Sequence, residues 1–497
     1  MSLQQNLKLI FGLKVKQLRL DHGLSLGELS KKSGISVSYL NEIEKGKKYP
    51  KADKIALLAE IFEVSYDWMV SLQLGKKLAP IADLIRSNII NELPLDVFGV
   101  DTGYLLELLS TAPTKLNALV STLIKIGRNY GLRVENFYHA VLRSYQEMHE
   151  NYFEDLENEA RQFLKSHHVS QSEKLSGQHL QKILENEYGY RISFNLQSNH
   201  SHLKDLRAVL IPGKSPLLIM NENLTPNQRA FIFGKELGYI WLKFKTRDYS
   251  TPAIEVKSFD QVLNNFKVSY FSSAIIIQED ALVKDLKLFL NEPHWSEEKF
   301  SAMVANYYAT PEMFMHRLTN LIPRYFGLKQ LFFLRFSQIE GENDINLSKE
   351  MHLAGLHNPH ATVLNEHYCR RWVSLTIFDD LSALKQNNAY KRPLAAIQKS
   401  QYIGSKNEYL IIAMALPKSG TKDVNYSISL GLMVNPKLKK TIKFFNDETI
   451  AIREVNETCE RCPAVDCKVR VARPVVLEKE QKLLLARQAL DKLIDGT

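Results

Sequence analysis

The sequence predicts a multidomain fold, all-α over its first third and α+β beyond, and three observations predict it. At 497 residues the chain is too long for one core, because single cores stop growing at roughly 250–300 residues, so about three folded units are expected. Apolar residues recur at three-to-four spacing as far as about residue 165, the signature of amphipathic helices. After His168 the texture changes to short β-branched runs bounded by Pro, Gly and Asn, interspersed with helical stretches.

Composition excludes several classes. With 45% hydrophobic and 24% charged residues, 22 Gly and 17 Pro, the chain is neither collagen-like nor wholly disordered. The longest apolar runs, 271–277 and 409–416, have strand length and fall short of the roughly 18 residues that cross a bilayer. Residues 1–10 lack the apolar core and small-residue cleavage site of a secretory signal, so the cytoplasm is the expected compartment. Four cysteines cannot form a disulfide framework in a reducing compartment; they are incidental, reactive or metal-binding. The net charge of +9 is concentrated at the start: residues 1–77 hold 13 Lys plus Arg against 8 Asp plus Glu, an excess of +5 that suits a polyanionic partner.

In residues 1–77, Leu13, Leu18 and Leu20 open a first helix that ends near His22-Gly23. Ser25 caps a second helix over 26–32, with Glu28 completing a capping box. Ser33-Gly34 stops it, Ile35 fills the turn, and Ser36 caps a third helix through Lys45. Two short helices joined by a Gly-containing turn make a helix-turn-helix, and segments 52–62 and 66–72 supply its remaining helices. The run SLGELSKKSGISVSYLNEIEKGKKYP resembles the Cro/C1-type (XRE family) DNA-binding domain over about residues 11–72. That resemblance makes 36–45 the recognition helix. It implies that Ser36, Val37, Ser38, Tyr39 and Asn41 face base edges of a double-stranded DNA operator, where Ser and Asn hydrogen-bond and Val meets a thymine methyl. Lys45, Lys47 and Lys48 would meet phosphates.

Residues 78–165 read as a helical linker or dimerisation region with broad apolar faces. From 166 to 325, strands at ISFNL, AVLIP and PLLIMN precede a helix, LTPNQRAFIFGKELGYIWL. This order resembles the ImmA/IrrE-type metallopeptidase-like domain, whose helix carries H-E-x-x-H: two His hold Zn and the Glu activates water. The matching residues are Lys235, Glu236, Leu237, Gly238 and Tyr239, and Asn265 and Lys267 stand where an acidic ligand is expected. An ammonium and a phenol replace both His ligands, so a degenerate, non-enzymatic domain is expected. An active peptidase using His294 or His316 is the rival.

Residues 326–497 hold all four cysteines: Cys369, then Cys459, Cys462 and Cys467 as C-x2-C-x4-C in a Pro-containing loop. Four thiolates suit a structural zinc or an iron-sulfur cluster. Either centre carries 2 − 4 = −2 and needs cations, which Arg370, Arg371, Arg461, Lys468, Arg470 and Arg473 supply. Free redox-reactive thiols are a third option. Between the cysteines, alternating strands suggest a mixed sheet with flanking helices of the GAF or PAS kind, and 475–494 reads as an amphipathic helix.

The segments YCRRW and CERCPAVDCKVRVARP resemble the C-terminal domain of the short-chain fatty-acyl-CoA regulator family, which shares the order XRE domain, ImmA/IrrE-like domain, cysteine-bearing sensor domain. The resemblance implies a [4Fe-4S] cluster on Cys369, Cys459, Cys462 and Cys467 and an acyl-CoA effector; with the helical middle segments joining two chains, the whole reads as a cytoplasmic, homodimeric transcription regulator. Tyr368, Arg370 and Arg371 depart from that family's Gly and Pro around the first cysteine. His352, His357, His360 and His367 precede it and are read as solvated loop residues or alternative ligands.

Overall fold

The computed structural model describes residues 3–71, 134–170, 174–199, 201–203, 205–342, 344–353, 366–418 and 424–495. The chain is multidomain, helical at its N-terminus and α+β toward its C-terminus. It divides into two compact units, Met1–Tyr145 with Val256–Val262, and Gln146–Glu255 with Leu263–Thr497. The helical run expected over 78–133 lies outside the described residues.

The first unit opens with α1 (Leu3–Asp21), α2 (Leu26–Ser33), α3 (Val37–Glu44), α4 (Ala52–Ile61) and α5 (Tyr66–Val70). Ser25 and Glu28 form the expected capping box on α2, and Gly34, at φ +64°, ends it in the left-handed conformation that a Cβ disfavours. Phe11, Val15, Leu29, Ile35, Leu40, Ile43, Leu58 and Met69 form the core. Leu20, expected to help found the first helix, lies on its exposed side. Gly12 lets α1 lie directly on α3: a Cβ there would stand 2.2 Å from the Ile43 carbonyl oxygen. Lys14, which periodicity assigns no role, is buried and donates to the carbonyls of Trp68, Met69 and Ser71, tying α5 to α1.

The second unit holds helices α7 (Glu154–Ser166), α8 (Gly177–Tyr188), α9 (Pro226–Trp241), α10 (Phe259–Ile276, whose start belongs to the first unit), α11 (Glu279–Leu290), α12 (Glu297–Ala305) and α13 (Pro311–Leu321), together with two sheets. The intervening α6 is Val134–Met148. Strands β1 (Arg191–Ser193), β2 (Ala208–Ile211), β3 (Leu217–Met220) and β4 (Ser250–Thr251) pair in the order β1-β3-β2-β4, with β1 parallel to β3. The run 271–277, of strand length in the sequence, belongs mostly to α10; all of its residues, Ser272 and Ser273 included, are buried, so no exposed polar face marks the 3.6-residue period. A buried ion pair links α13 to α7: Arg317 donates twice to Glu157, at 2.5 and 2.8 Å, and Tyr270 of α10 donates to the same carboxylate.

The larger sheet has six strands, β5 (Leu331–Ile339), β6 (Ile345–His352), β7 (Leu394–Tyr402), β8 (Glu408–Pro417), β9 (Val424–Met433) and β10 (Ile452–Val455), in the order β10-β7-β8-β9-β5-β6. All neighbours are antiparallel except β10 with β7. Helix α14 (Val373–Gln386) packs across β7, β8 and β9, and Trp372, Ile377, Phe378, Tyr409 and Ile411 fill the layer between. A short α15 (Pro436–Thr441) follows β9, and α16 (Val475–Asp495) follows the cysteine loop.

Candidate functional site

On the first unit, Ser36 N-caps α3, its Oγ accepting from the Tyr39 amide at 3.3 Å. Ser36, Val37, Ser38, Lys45, Lys47 and Lys48 are exposed and Asn41 is partly exposed, so they share one accessible edge of α3 and the turn after it. Tyr39 is half-buried against the core, with the Lys54 ammonium 4.6 Å from its ring centroid. The angle between α1 and α3 is held by a residue that periodicity does not flag: Arg19 donates to both oxygens of Glu44, at 2.6 and 2.9 Å, and to the Leu24 carbonyl at 2.8 Å. This two-pronged pairing is shielded from water, the setting in which a guanidinium fork is strongest.

In the second unit, α9 carries Lys235, Glu236 and Tyr239, all buried. Glu236 accepts from Arg247 at 2.6 Å and from the Tyr190 hydroxyl at 3.2 Å, and the Arg247 guanidinium lies 4.1 Å from the Tyr239 ring centroid. Lys235 donates to Asn265 at 2.7 Å, with burial pushing its pKa down to about 8. The glutamate is thus neutralised by a fixed cation of the protein itself. Arg247 lies eight residues beyond Tyr239 in an irregular loop, where no helical or strand period could flag it. His294 sits at Asp447 and His316 stacks on Phe333, 4.0 Å between centroids, so each has a structural partner away from Glu236.

The structure brings the four cysteines together. Tyr368 and Thr458 form an antiparallel bridge, on which Cys369 N–H donates to the Glu457 carbonyl at 3.2 Å and Cys459 N–H to the His367 carbonyl at 2.8 Å. Two segments ninety residues apart in sequence are thereby zipped side by side. Cys369, Cys459 and Cys462 are buried, Cys467 is partly exposed, and all four line one cavity. Burial pushes the Cys369 thiol up, while the amides of Asn456 and Arg371 donate to its sulfur and pull it back; the Asn456 contact is 3.5 Å.

Three further groups build the loop. Arg470 reaches back and donates to the carbonyls of Cys459, Cys462 and Ala464 at 2.8, 3.1 and 2.5 Å. Arg461 grips Glu366 with two bonds of 2.8 Å, and Thr458 donates to the same carboxylate. His367 pairs with Glu460 at 2.7 Å through Nδ1. His352 lies on β6; His357 and His360 lie outside the described residues. Among the described residues no three Cys, His, Asp or Glu side chains stand close enough to hold a single metal ion. Beside the sulfur cavity, and sharing Arg370, Arg371, Glu454 and Val469 with it, opens a cleft of about 660 Å³. Arg453 and Lys468 add two more cations to its wall, and Asp379 and Asp466 two acids.

The N-terminal geometry has known counterparts. The profile of the Helix-turn-helix family matches residues 15–69. The chain carries an XRE-type helix-turn-helix domain. Over 59 residues it is 36% identical to the uncharacterized HTH-type transcriptional regulator YobD of Bacillus subtilis (strain 168), an alignment covering 12% of this chain and 53% of YobD. The chain therefore spans about half the length of that relative. A solved structure titled Mycobacterium tuberculosis transcriptional regulator aligns over 68% of this chain and 93% of its own, with 15% identity and a TM-score of 0.46. Among the described residues no helix is long and apolar enough to cross a membrane.

Proposed function

We propose that this protein is a sequence-specific DNA-binding transcription regulator whose C-terminal α+β domain senses a metabolite, redox state or both through a cysteine-ligated [4Fe-4S] cluster. The observation that carries the reading is the convergence of Cys369, Cys459, Cys462 and Cys467 on one cavity, pinned by the Tyr368–Thr458 bridge.

The donor set fits the group. Four thiols face one space, backbone amides point at the Cys369 sulfur, and Arg370 and Arg470 on the lining offset the negative charge of a thiolate-held centre. When bound, such a cluster supplies a one-electron or oxygen-sensitive change of state. The protein's own part is positional: Arg470 holds the loop carbonyls, the 368–458 bridge holds the first cysteine against the last three, and α14 carries any displacement of Cys369 into the sheet.

The adjoining cleft supports an acyl-CoA effector, being roomy, partly apolar and bordered by Arg370, Arg371, Arg453 and Lys468. We read the six-stranded sheet with α14 packed across it as a sensor domain of the GAF or PAS kind. The domain around α9 is a degenerate ImmA/IrrE-like fold retained for structure: Lys235 and Tyr239 occupy the metal-ligand positions, and Arg247 occupies the carboxylate of Glu236. The protein is thus a regulator and no peptidase. It acts as a homodimer in the cytoplasm, two α3 helices meeting half-sites about one DNA turn apart.

The test is anaerobic purification with iron, sulfide and zinc analysis, followed by operator binding of loaded and stripped protein. About four irons with matching sulfide, and DNA affinity that differs between the two forms, support the reading. A colourless protein with one zinc per chain, or equal affinity of both forms, overturns the sensing half.

A further inference from the structure

Helix α16 leaves the cysteine loop at Pro474 and presents Leu483, Leu484, Leu485 and Leu490 more than half exposed over consecutive turns. Its first turn is hydrogen-bonded into that loop: the amides of Val476 and Leu477 donate to the Glu460 carbonyl at 3.1 and 3.3 Å, between Cys459 and Cys462.

Val476, Leu483 and Leu490 recur every seven residues, with Ala486 and Leu493 three residues after the last two. These are the a and d positions of a heptad, with Lys479 as the remaining d residue. The flanking e positions are then Glu480, Arg487 and Ile494, and the g positions Val475, Lys482 and Ala489. Charge at these flanks separates the ways two such helices can pair. In a parallel pair each g residue faces the e residue five places on in its partner, which opposes Lys482 to Arg487 twice. In an antiparallel pair e faces e, which matches Glu480 with Arg487 twice and sets Lys482 beside Ala489. The same alignment stacks Leu483 on Ala486 and Val476 on Leu493, large against small, and lets the Lys479 stem lie along Leu490 with its ammonium in water.

We propose that α16 pairs antiparallel with α16 of a second copy of this chain. The seam rests on the homodimer reading given above and names its surface. Because the helix is anchored at Glu460, displacement of the cysteine loop moves the seam, so the cysteine centre and the association of two copies are mechanically linked.

The experiment is sedimentation equilibrium of the full chain and four variants, with thermal unfolding to verify the fold; the changed residues are exposed, so folding is retained. Leu483→Glu with Leu490→Glu weakens dimerisation at least about a hundredfold, because apolar area stays in water. Arg487→Glu weakens it about fivefold or more, Glu480→Lys does the same, and the two together restore wild-type affinity. Three results overturn the proposal: dimerisation unchanged in the double leucine variant, which keeps the homodimer and removes this seam; Arg487→Glu tightening the dimer, which is the parallel signature; and a monomeric wild-type chain, which removes the homodimer as well.

Discussion

Arg247 donates to Glu236 at 2.6 Å where both side chains are shielded from water. The pair sets a fixed cation of the protein against that carboxylate. Removing one partner of a buried pair costs about 3–5 kcal/mol because the other charge is left uncompensated. Arg247→Met is therefore expected to lower unfolding stability by about 3 kcal/mol, and adding Glu236→Gln to recover most of that loss. Urea unfolding of the wild type, both single variants and the double variant measures the coupling; additive losses would show that the pair does not interact.

Arg470 closes the cysteine loop through three carbonyls. Hydrogen bonds to a charged donor contribute about 1.5–3 kcal/mol each, so Arg470→Ala should open the loop and raise the alkylation rate of buried Cys459 and Cys462 by about tenfold or more. Arg470→Lys, which reaches fewer carbonyls, should fall between. Time-resolved iodoacetamide labelling read by mass spectrometry decides it, and unchanged rates would mean that the loop is held by other contacts.

At the N-terminal domain, Asn41 and Lys47 are expected to fail differently. Asn41→Ala removes a base-edge group and should cost about 1–3 kcal/mol of specific binding while leaving weak, salt-dependent binding intact. Lys47→Ala removes a phosphate contact, lowering affinity for all sequences and reducing the salt slope by about one. Titration of operator and scrambled DNA at several salt concentrations separates the two, and equal losses on both DNAs for Asn41→Ala would refute its role.

His316 stacks on Phe333 with its Nε2 buried, facing Glu312, Lys349 and Arg335. Burial, aided by the Lys349 charge, pushes its pKa down to about 3, below the unfolded value of about 6.5. Between those values the unfolded state binds more protons, so this residue's contribution is intact above pH 6.5 and is lost as pH falls toward 3. His316→Phe should flatten the fall in stability between pH 7 and pH 4 by about 2 kcal/mol. Urea unfolding at both pH values tests it; parallel profiles for the two proteins would contradict the assignment.

The helix-turn-helix was legible in the sequence because its determinants are local. The Ser25–Glu28 box, the Gly34 stop, the Ile35 plug and the Ser36 cap each act within a few residues, and each is where spacing alone puts it. Run 271–277 was not legible as helix, since burial on all sides removes the polar face that periodicity needs.

The sequence by itself determined which chemistry is available: three cysteines at short spacing with a fourth upstream, cations around them, and a glutamate flanked by Lys235 and Tyr239 on α9. Only the tertiary structure decided what that chemistry faces. Antiparallel pairing at Tyr368–Thr458 delivers Cys369 to the other three sulfurs, and a loop delivers Arg247 to Glu236. Neither meeting has a local signal, because strand pairing and side-chain reach across ninety residues, or around a loop, depend on the packing of every element between.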